Sequence, residues 1–228
     1  MDQPEAKTRV NRIALARFEQ WILPRMASRL PDWTTPDKLT IVGLVAAGGI
    51  GLGYWLTWYS LDWIWLAAAM YVVNWWGDSL DGTLARVRNI RREKYGFFVD
   101  HQSDAISTLM IFCGLGLSPL MKLPIAFALI VGYFLLMIHV YIVTIVRDVF
   151  KISFGLIGPT EARILMIAAS IVVWALANPQ IAVAGYSFTL FDLIGIIGAG
   201  GLLVVYLASA LVERFKLAEI DPPKKPQL

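Results

Sequence analysis

The chain has 228 residues, 57% of them hydrophobic and 16% charged, with a mean hydropathy of +0.62, which excludes an ordinary soluble globular protein. Its net charge of +3 comes from basic residues gathered at the ends of apolar runs, the pattern of a membrane protein and not of a nucleic-acid binder. The single cysteine, Cys113, lies inside an apolar run, so it offers no disulfide framework or cysteine-based metal site and is expected to be a reduced, buried thiol.

In chain order, residues 1–9 are polar and expected to be disordered, and the opening thirty residues do not follow a signal-peptide pattern. Residues 10–30 set Ile13, Phe18, Trp21 and Ile22 among Arg12, Arg17, Arg25 and Arg29. That pattern predicts an amphipathic helix at the membrane surface, kinked or ended near Pro24. It also fits a helix packed on its own protein. Thr34-Thr35-Pro36-Asp37 supplies helix-starting residue types before the first long apolar run. Six spans follow, over 38–58, 62–85, 96–117, 123–147, 160–177 and 190–213. A span needs roughly 20 mostly apolar residues. The charge-free run 63–77 is too short by itself and has to continue through Asp78 and Asp81 to Ala85. The linker 86–95 is basic, with Arg86, Arg88, Arg91, Arg92 and Lys94, while Ser118-Pro119 and Asn178-Pro179 break the apolar pattern.

The expected fold class is therefore an all-α integral membrane protein of six transmembrane helices plus an N-terminal amphipathic surface helix. Its domains are a cytoplasmic segment 1–35, one membrane domain 36–215 and a cytoplasmic tail 216–228. With six spans both termini share a side, and of the twenty Lys and Arg only Lys122 falls opposite. The positive-inside rule then puts the termini in the cytoplasm, and a bacterial inner membrane is expected.

Two pairs of aspartates, Asp78/Asp81 and Asp100/Asp104, interrupt apolar sequence. Carboxylates within a span are costly and mark function. Residues three or four apart share a helix face, so Asp78, Asp81, Gly82 and Ala85 form one stripe and Asp100 and Asp104 another. The short linker is expected to bring the two stripes face to face. Four close carboxylates repel one another. A divalent cation relieves that repulsion, and oxygen-only ligands favour Mg, Mn or Ca over Zn. Gly82 and Ala85 leave room for a bulky ligand, and Arg86 is placed to meet a phosphate. Together these features point to a diphosphate-containing substrate.

The pattern D-x2-D-G-x2-A-R, nine residues, G-x3-D-x3-D, met by Asp78, Asp81, Gly82, Ala85, Arg86, Gly96, Asp100 and Asp104, resembles the signature of the CDP-alcohol phosphotransferases. Pro36-Asp37-Lys38-Leu39-Thr40 also resembles the family's start of the first span, with Asp37 where Asn is usual. The resemblance implies transfer of a substituted phosphate from a CDP-linked donor to an alcohol, with release of CMP. It also implies one or two Mg2+ or Mn2+ ions, a cytoplasm-facing site within the bilayer, and a homodimer. By that analogy Asp78, Asp81 and Asp100 are the main metal ligands, and Asp104 binds a second ion or acts as base. Asn74, Asp78, Gly82, Ala85, Arg86 and Gly96 are expected around the CDP moiety.

His101, directly after Asp100, and Glu161, in Gly158-Pro159-Thr160-Glu161, resemble the choline/ethanolamine phosphotransferase branch, where such a pair activates a lipid hydroxyl. Glu161 also suits simple helix capping. Arg147, Lys151 and Arg163 are candidates for binding a lipid or donor phosphate, or for positive-inside anchoring. His139 reads as structural, Asp192 as a helix cap, and Trp55, Trp58, Trp63 and Trp65 as an interfacial belt. The favoured chemistry moves a head group from CDP-ethanolamine or CDP-choline to a diacylglycerol-like hydroxyl. The alternative joins CDP-diacylglycerol to glycerol phosphate, inositol phosphate or serine. A divalent-cation transporter also uses intramembrane acids, but here the acids lie at one end only.

Overall fold

The computed structural model describes residues 15–147, 158–183 and 185–222. Arg12, Ile13, most of the expected 148–159 loop with the candidate Lys151, and the end of the tail lie outside them. The described residues form helices α1 (Ala16–Ala27), α2 (Pro36–Leu56), α3 (Ile64–Val87), α4 (Glu93–Gly116), α5 (Leu123–Arg147), α6 (Pro159–Ala175) and α7 (Leu190–Ile220). A 3-10 turn at Leu61–Trp63 leads into α3. Before α7 comes a small antiparallel hairpin, β1 (Ile181–Val183) and β2 (Tyr186–Phe188). The hairpin has no counterpart in the expected all-α layout; strands of three residues are too short to leave an alternating signature.

Three helices, α2, α5 and α7, are long and apolar enough to cross a membrane. The expected count was six. The difference lies in charge and length: α3 carries Asp78, Asp81 and Arg86, α4 carries Glu93, Lys94, Asp100 and Asp104, and α6 has 17 residues. The basic linker is also shorter than expected, since α3 runs on to Val87 and α4 begins at Glu93. Asn89, at φ 56°, closes α3, with Ile90 N–H donating to the Ala85 carbonyl and Asn89 N–H to that of Arg86. This is a left-handed helix stop of the kind Asn tolerates.

Local signals explain the other boundaries. Thr35 accepts from Lys38 N–H with Pro36 in the first turn, and Thr189 and Asp192 cap each other's backbone at the start of α7. Asp192, fully buried, also accepts from Lys122 N–H at 2.7 Å, so it is the helix cap expected of it. His139 pairs with Ser209 at 2.9 Å between α5 and α7, a structural place. Cys113 is half-buried, not buried as expected, because its face of α4 is only partly covered.

α1 continues through Pro24 to Ala27 and does not end there. Its Leu23 and Ala27 are buried with Leu39, Leu80 and Leu84, while Phe18 and Trp21 point outward. The helix is thus packed on its own protein and keeps an aromatic outer face.

α2 is the centre of the bundle and lies against both α3 and α4, which do not pack on each other along their lengths. Glycines make this possible. A Cβ on Gly77 would fall 2.6 Å from Gly43 N, and one on Gly114 would fall 2.3 Å from Gly51 Cα. Such backbone-to-backbone approach through small residues is how helices associate where lipid removes the hydrophobic drive. Around these contacts Ile50, Tyr54, Ile64, Ala67, Tyr71, Leu115 and Phe191 form the main core.

Gly114→Ala is therefore expected to destabilise the protein by about 1–3 kcal/mol, since the atoms it meets are backbone and cannot move aside. Gly200→Ala, with nothing within 4 Å, should leave the melting temperature in detergent unchanged or slightly raised. Equal melting of the two variants would contradict the role given to the α2–α4 contact.

Candidate active site

The site is built on one end of α3. Asn74 and Asp78 stand one turn apart and share a partner on α6. Arg163 Nε donates to Asn74 Oδ1 at 2.8 Å and its Nη2 donates to Asp78 Oδ2 at 2.7 Å. Asn74, only 3% exposed, donates from Nδ2 to the Gly43 carbonyl at 2.8 Å. One buried amide thus links α2, α3 and α6. A hydrogen bond to a charged group contributes about 1.5–3 kcal/mol, so this linkage is a firm one.

Asp81 turns elsewhere. Its Oδ2 accepts from Thr40 Oγ1 of α2 at 2.7 Å, and its Oδ1 accepts from Gly82 N–H. On α4, Asp100 is exposed and Asp104 half-buried. Asp104 lies within electrostatic range of Asp78, Asp81, Asp100 and Arg163, and Asp81 within range of Asp78 and Asp100. The two stripes thus approach each other as expected, although α3 and α4 each pack on α2 more than on one another. Among the described residues no three carboxylate, histidine or cysteine side chains are drawn into one metal-coordinating group. Like charges keep their distance, and Asp78 and Asp81 have turned to Arg163 and Thr40.

The small-residue seat is open. Gly82 is exposed, with Arg86 Nη1 3.6 Å from where its Cβ would be, and Gly96 has nothing within 4 Å. Ala85 is half-buried. Arg86 Nη2 donates to Thr83 Oγ1 at 2.8 Å, which steadies the guanidinium beside Gly82.

His101 Nδ1 lies 2.7 Å from the Phe97 carbonyl oxygen and 3.7 Å from Asp100 Oδ2. The rings of Phe97, His101 and Tyr141 cluster between α4 and α5, Phe97 4.0 Å from His101 and Tyr141 edge-on to Phe97. Glu161 accepts from Gly158 N–H at 3.1 Å and from Leu15 N–H at 3.0 Å, capping α6 and tying it to the start of α1. Next to it Thr160 donates to Glu19, which also accepts from Trp75 Nε1 at 3.1 Å. Arg147 donates to Glu213 at 2.6 Å, between α5 and α7, and is thereby committed to a structural ion pair.

Several residues of the site carry no motif of their own. Thr40 of α2 donates to Asp81, and Tyr133 and Tyr141 of α5 lie within electrostatic range of Asp104. Arg88 donates to the carbonyls of Leu30, Pro31 and Thr34, fastening the end of α3 to the segment before α2. Thr40 falls in the Pro36–Thr40 stretch, the only sequence signal that marks any of them.

An all-α bundle with three membrane-length apolar helices points to an integral membrane protein, and its aspartates gather on two further helices, α3 and α4. Residues 33–206 match the family model described as CDP-alcohol phosphatidyltransferase, and the chain belongs to that family. The family moves phosphatidyl or phospho-alcohol groups from a CDP-alcohol to an acceptor, so the protein is a membrane transferase of phospholipid biosynthesis. No individual curated protein matches the chain. α1 lies ahead of the matched stretch.

Thr40→Val removes the α2 hydroxyl that donates to Asp81 and is expected to lower turnover of a CDP-linked donor about tenfold, with Thr40→Ser close to wild type. Wild-type rates for Thr40→Val in a CMP-release assay would show that Asp81 needs no such orientation.

Proposed function

We propose that the protein transfers a phosphorylated head group from a donor such as CDP-ethanolamine or CDP-choline to the hydroxyl of a diacylglycerol-like lipid, releasing CMP. The observation that carries this reading is the contact of His101 Nδ1 with the Phe97 carbonyl. A carbonyl only accepts, so Nδ1 carries the proton and the lone pair sits on Nε2. An imidazole held in that tautomer, beside Asp100 and one turn from Asp104, suits proton removal from a neutral lipid hydroxyl near pH 7. The lipid oxygen forms a bond to the head-group phosphorus, the bond from that phosphorus to the CMP oxygen breaks, and His101 takes the hydroxyl proton. Phe97 provides the orientation that the resemblance gives to Glu161, and Glu161 holds α6 on α1.

The donor set suits Mg2+ or Mn2+, one or two ions: it is all oxygen, its four carboxylates share one electrostatic neighbourhood, and Asp78 already engages a cationic group. In this reading Asp78, Asp81 and Asp100 hold the metal, with Asp104 as a further ligand or base. The metal when bound neutralises the diphosphate and favours departure of CMP. Gly82, Ala85 and Gly96 leave space for the nucleotide, and Arg86 meets the phosphates.

The same reading has six crossings. α3 and α4, at about 36 Å each, are long enough for a roughly 30 Å hydrocarbon layer, and α6 reaches about 25 Å. It puts the acids and both termini at the cytoplasmic face of a bacterial inner membrane, where CDP-linked donors are made. The uncovered apolar faces of α5 and α7 leave room for a second copy, as a homodimer requires.

Purified protein given CDP-ethanolamine or CDP-choline with diacylglycerol should release CMP and form phospholipid. EDTA should abolish the reaction and Mg2+ or Mn2+ restore it. Turnover only with CDP-diacylglycerol and glycerol phosphate, inositol phosphate or serine would establish the alternative donor instead. His101→Gln should cost about 10²–10⁴ in rate with the true substrate pair, the usual contribution of a positioned base. Asp81→Asn and Asp100→Asn should abolish CMP release while the protein stays folded in detergent.

A further inference from the structure

Arg163 holds an unusual position for a membrane-edge arginine. Its guanidinium is 15% exposed and its two bonds run to two different α3 side chains, Asn74 through Nε and Asp78 through Nη2. The two ends of this bridge differ. Asn74 is buried and committed on its other side to the Gly43 carbonyl. Asp78 is 25% exposed and lies within electrostatic range of Asp81 and Asp104, which in turn feel Asp100. One guanidinium cannot balance four carboxylates, and a divalent cation carries twice its charge.

We propose that Arg163 is an exchangeable counter-cation for Asp78. With no divalent ion bound, it holds Asp78 in register; when an ion binds, Asp78 exchanges the guanidinium for it, and Arg163 turns to the donor's diphosphate. The Nε bond to buried Asn74 is the hinge. It keeps the guanidinium at the site while the Nη edge changes partner from carboxylate to phosphate, both of which its planar fork matches. Thr160 and Glu161, one turn earlier on α6, fasten the helix to α1 and so set the height from which Arg163 reaches. The exchange rests on the metal-dependent reading above and gives Arg163 two roles in turn: it positions Asp78 before substrate arrives and meets the phosphates afterwards.

The test needs no turnover. EDTA-stripped protein in detergent is titrated with Mn2+ alone, and free Mn2+ is read by electron paramagnetic resonance. Arg163→Gln should bind Mn2+ roughly tenfold tighter than wild type, the scale of one charge-assisted hydrogen bond removed from competition. Arg163→Lys, which keeps the charge but cannot bridge Asn74 and Asp78 as a fork, should fall between them and carries the test should Arg163→Gln fail to fold. In EDTA both variants should melt below wild type, and saturating Mn2+ should narrow that gap. Mn2+ binding to wild type that is equal or weaker in both variants overturns the exchange and leaves the metal reading standing. Binding to none of the three proteins overturns the metal reading and the exchange together.

Discussion

Two acid-bearing helices are held at a set distance by a third, and that spacing depends on backbone contact. Gly43 against Gly77 and Gly51 against Gly114 bring α2 so close to α3 and α4 that a single methyl group would collide with main-chain atoms. In lipid, where apolar side chains gain nothing by meeting one another, such contacts and interhelical hydrogen bonds supply the association. Because α2 occupies this place, α3 and α4 each pack on it more than on one another. The aspartates of the two helices nonetheless lie within electrostatic range across that separation. A side chain added to the α2 glycines would move the walls of the site before it touched any functional group.

Electrostatics then decides how each carboxylate is used. Four acids in one neighbourhood repel one another, so compensating partners stabilise the arrangement. Asp78 takes the guanidinium of Arg163 and Asp81 the hydroxyl of Thr40. These partners come from α6 and α2, helices without an acidic motif. Asn74 binds the arrangement together, since its amide spends its donor on α2 and its acceptor on Arg163. The result is an acidic site whose supporting contacts reach three helices, in a chain of the CDP-alcohol phosphatidyltransferase family.

α1 adds a second support from outside the matched family region. It buries Leu23 and Ala27 on α3, accepts from Trp75 and Thr160 through Glu19, and gives its Leu15 N–H to Glu161. The helix that reads as a surface anchor is therefore also a brace across α3 and α6. Glu161, expected beside His101, accepts hydrogen bonds at the α1–α6 junction, and the orienting contact of His101 comes from the carbonyl four residues before it on its own helix.

Much of this protein was legible in its amino-acid order. Charge-free runs marked the helices, Thr35-Pro36 and Thr189–Asp192 marked two of their starts, and the three- and four-residue spacing of Asp78, Asp81, Asp100 and Asp104 marked the acidic stripes and the family. These are local properties: hydropathy, capping and helical periodicity act over a few residues, so sequence alone determines them. The place of α2 between the acid-bearing helices, the bridge from Arg163 to Asn74 and Asp78, the Thr40 bond to Asp81 and the short hairpin before α7 were decided only by tertiary structure. Each pairs residues 41 to 89 positions apart or rests on backbone contact, apart from the hairpin, whose strands are too short to show a period. Which partner a carboxylate finds depends on which helix packs beside it, and helix packing in an apolar solvent is written in the fit of small residues, not in hydropathy.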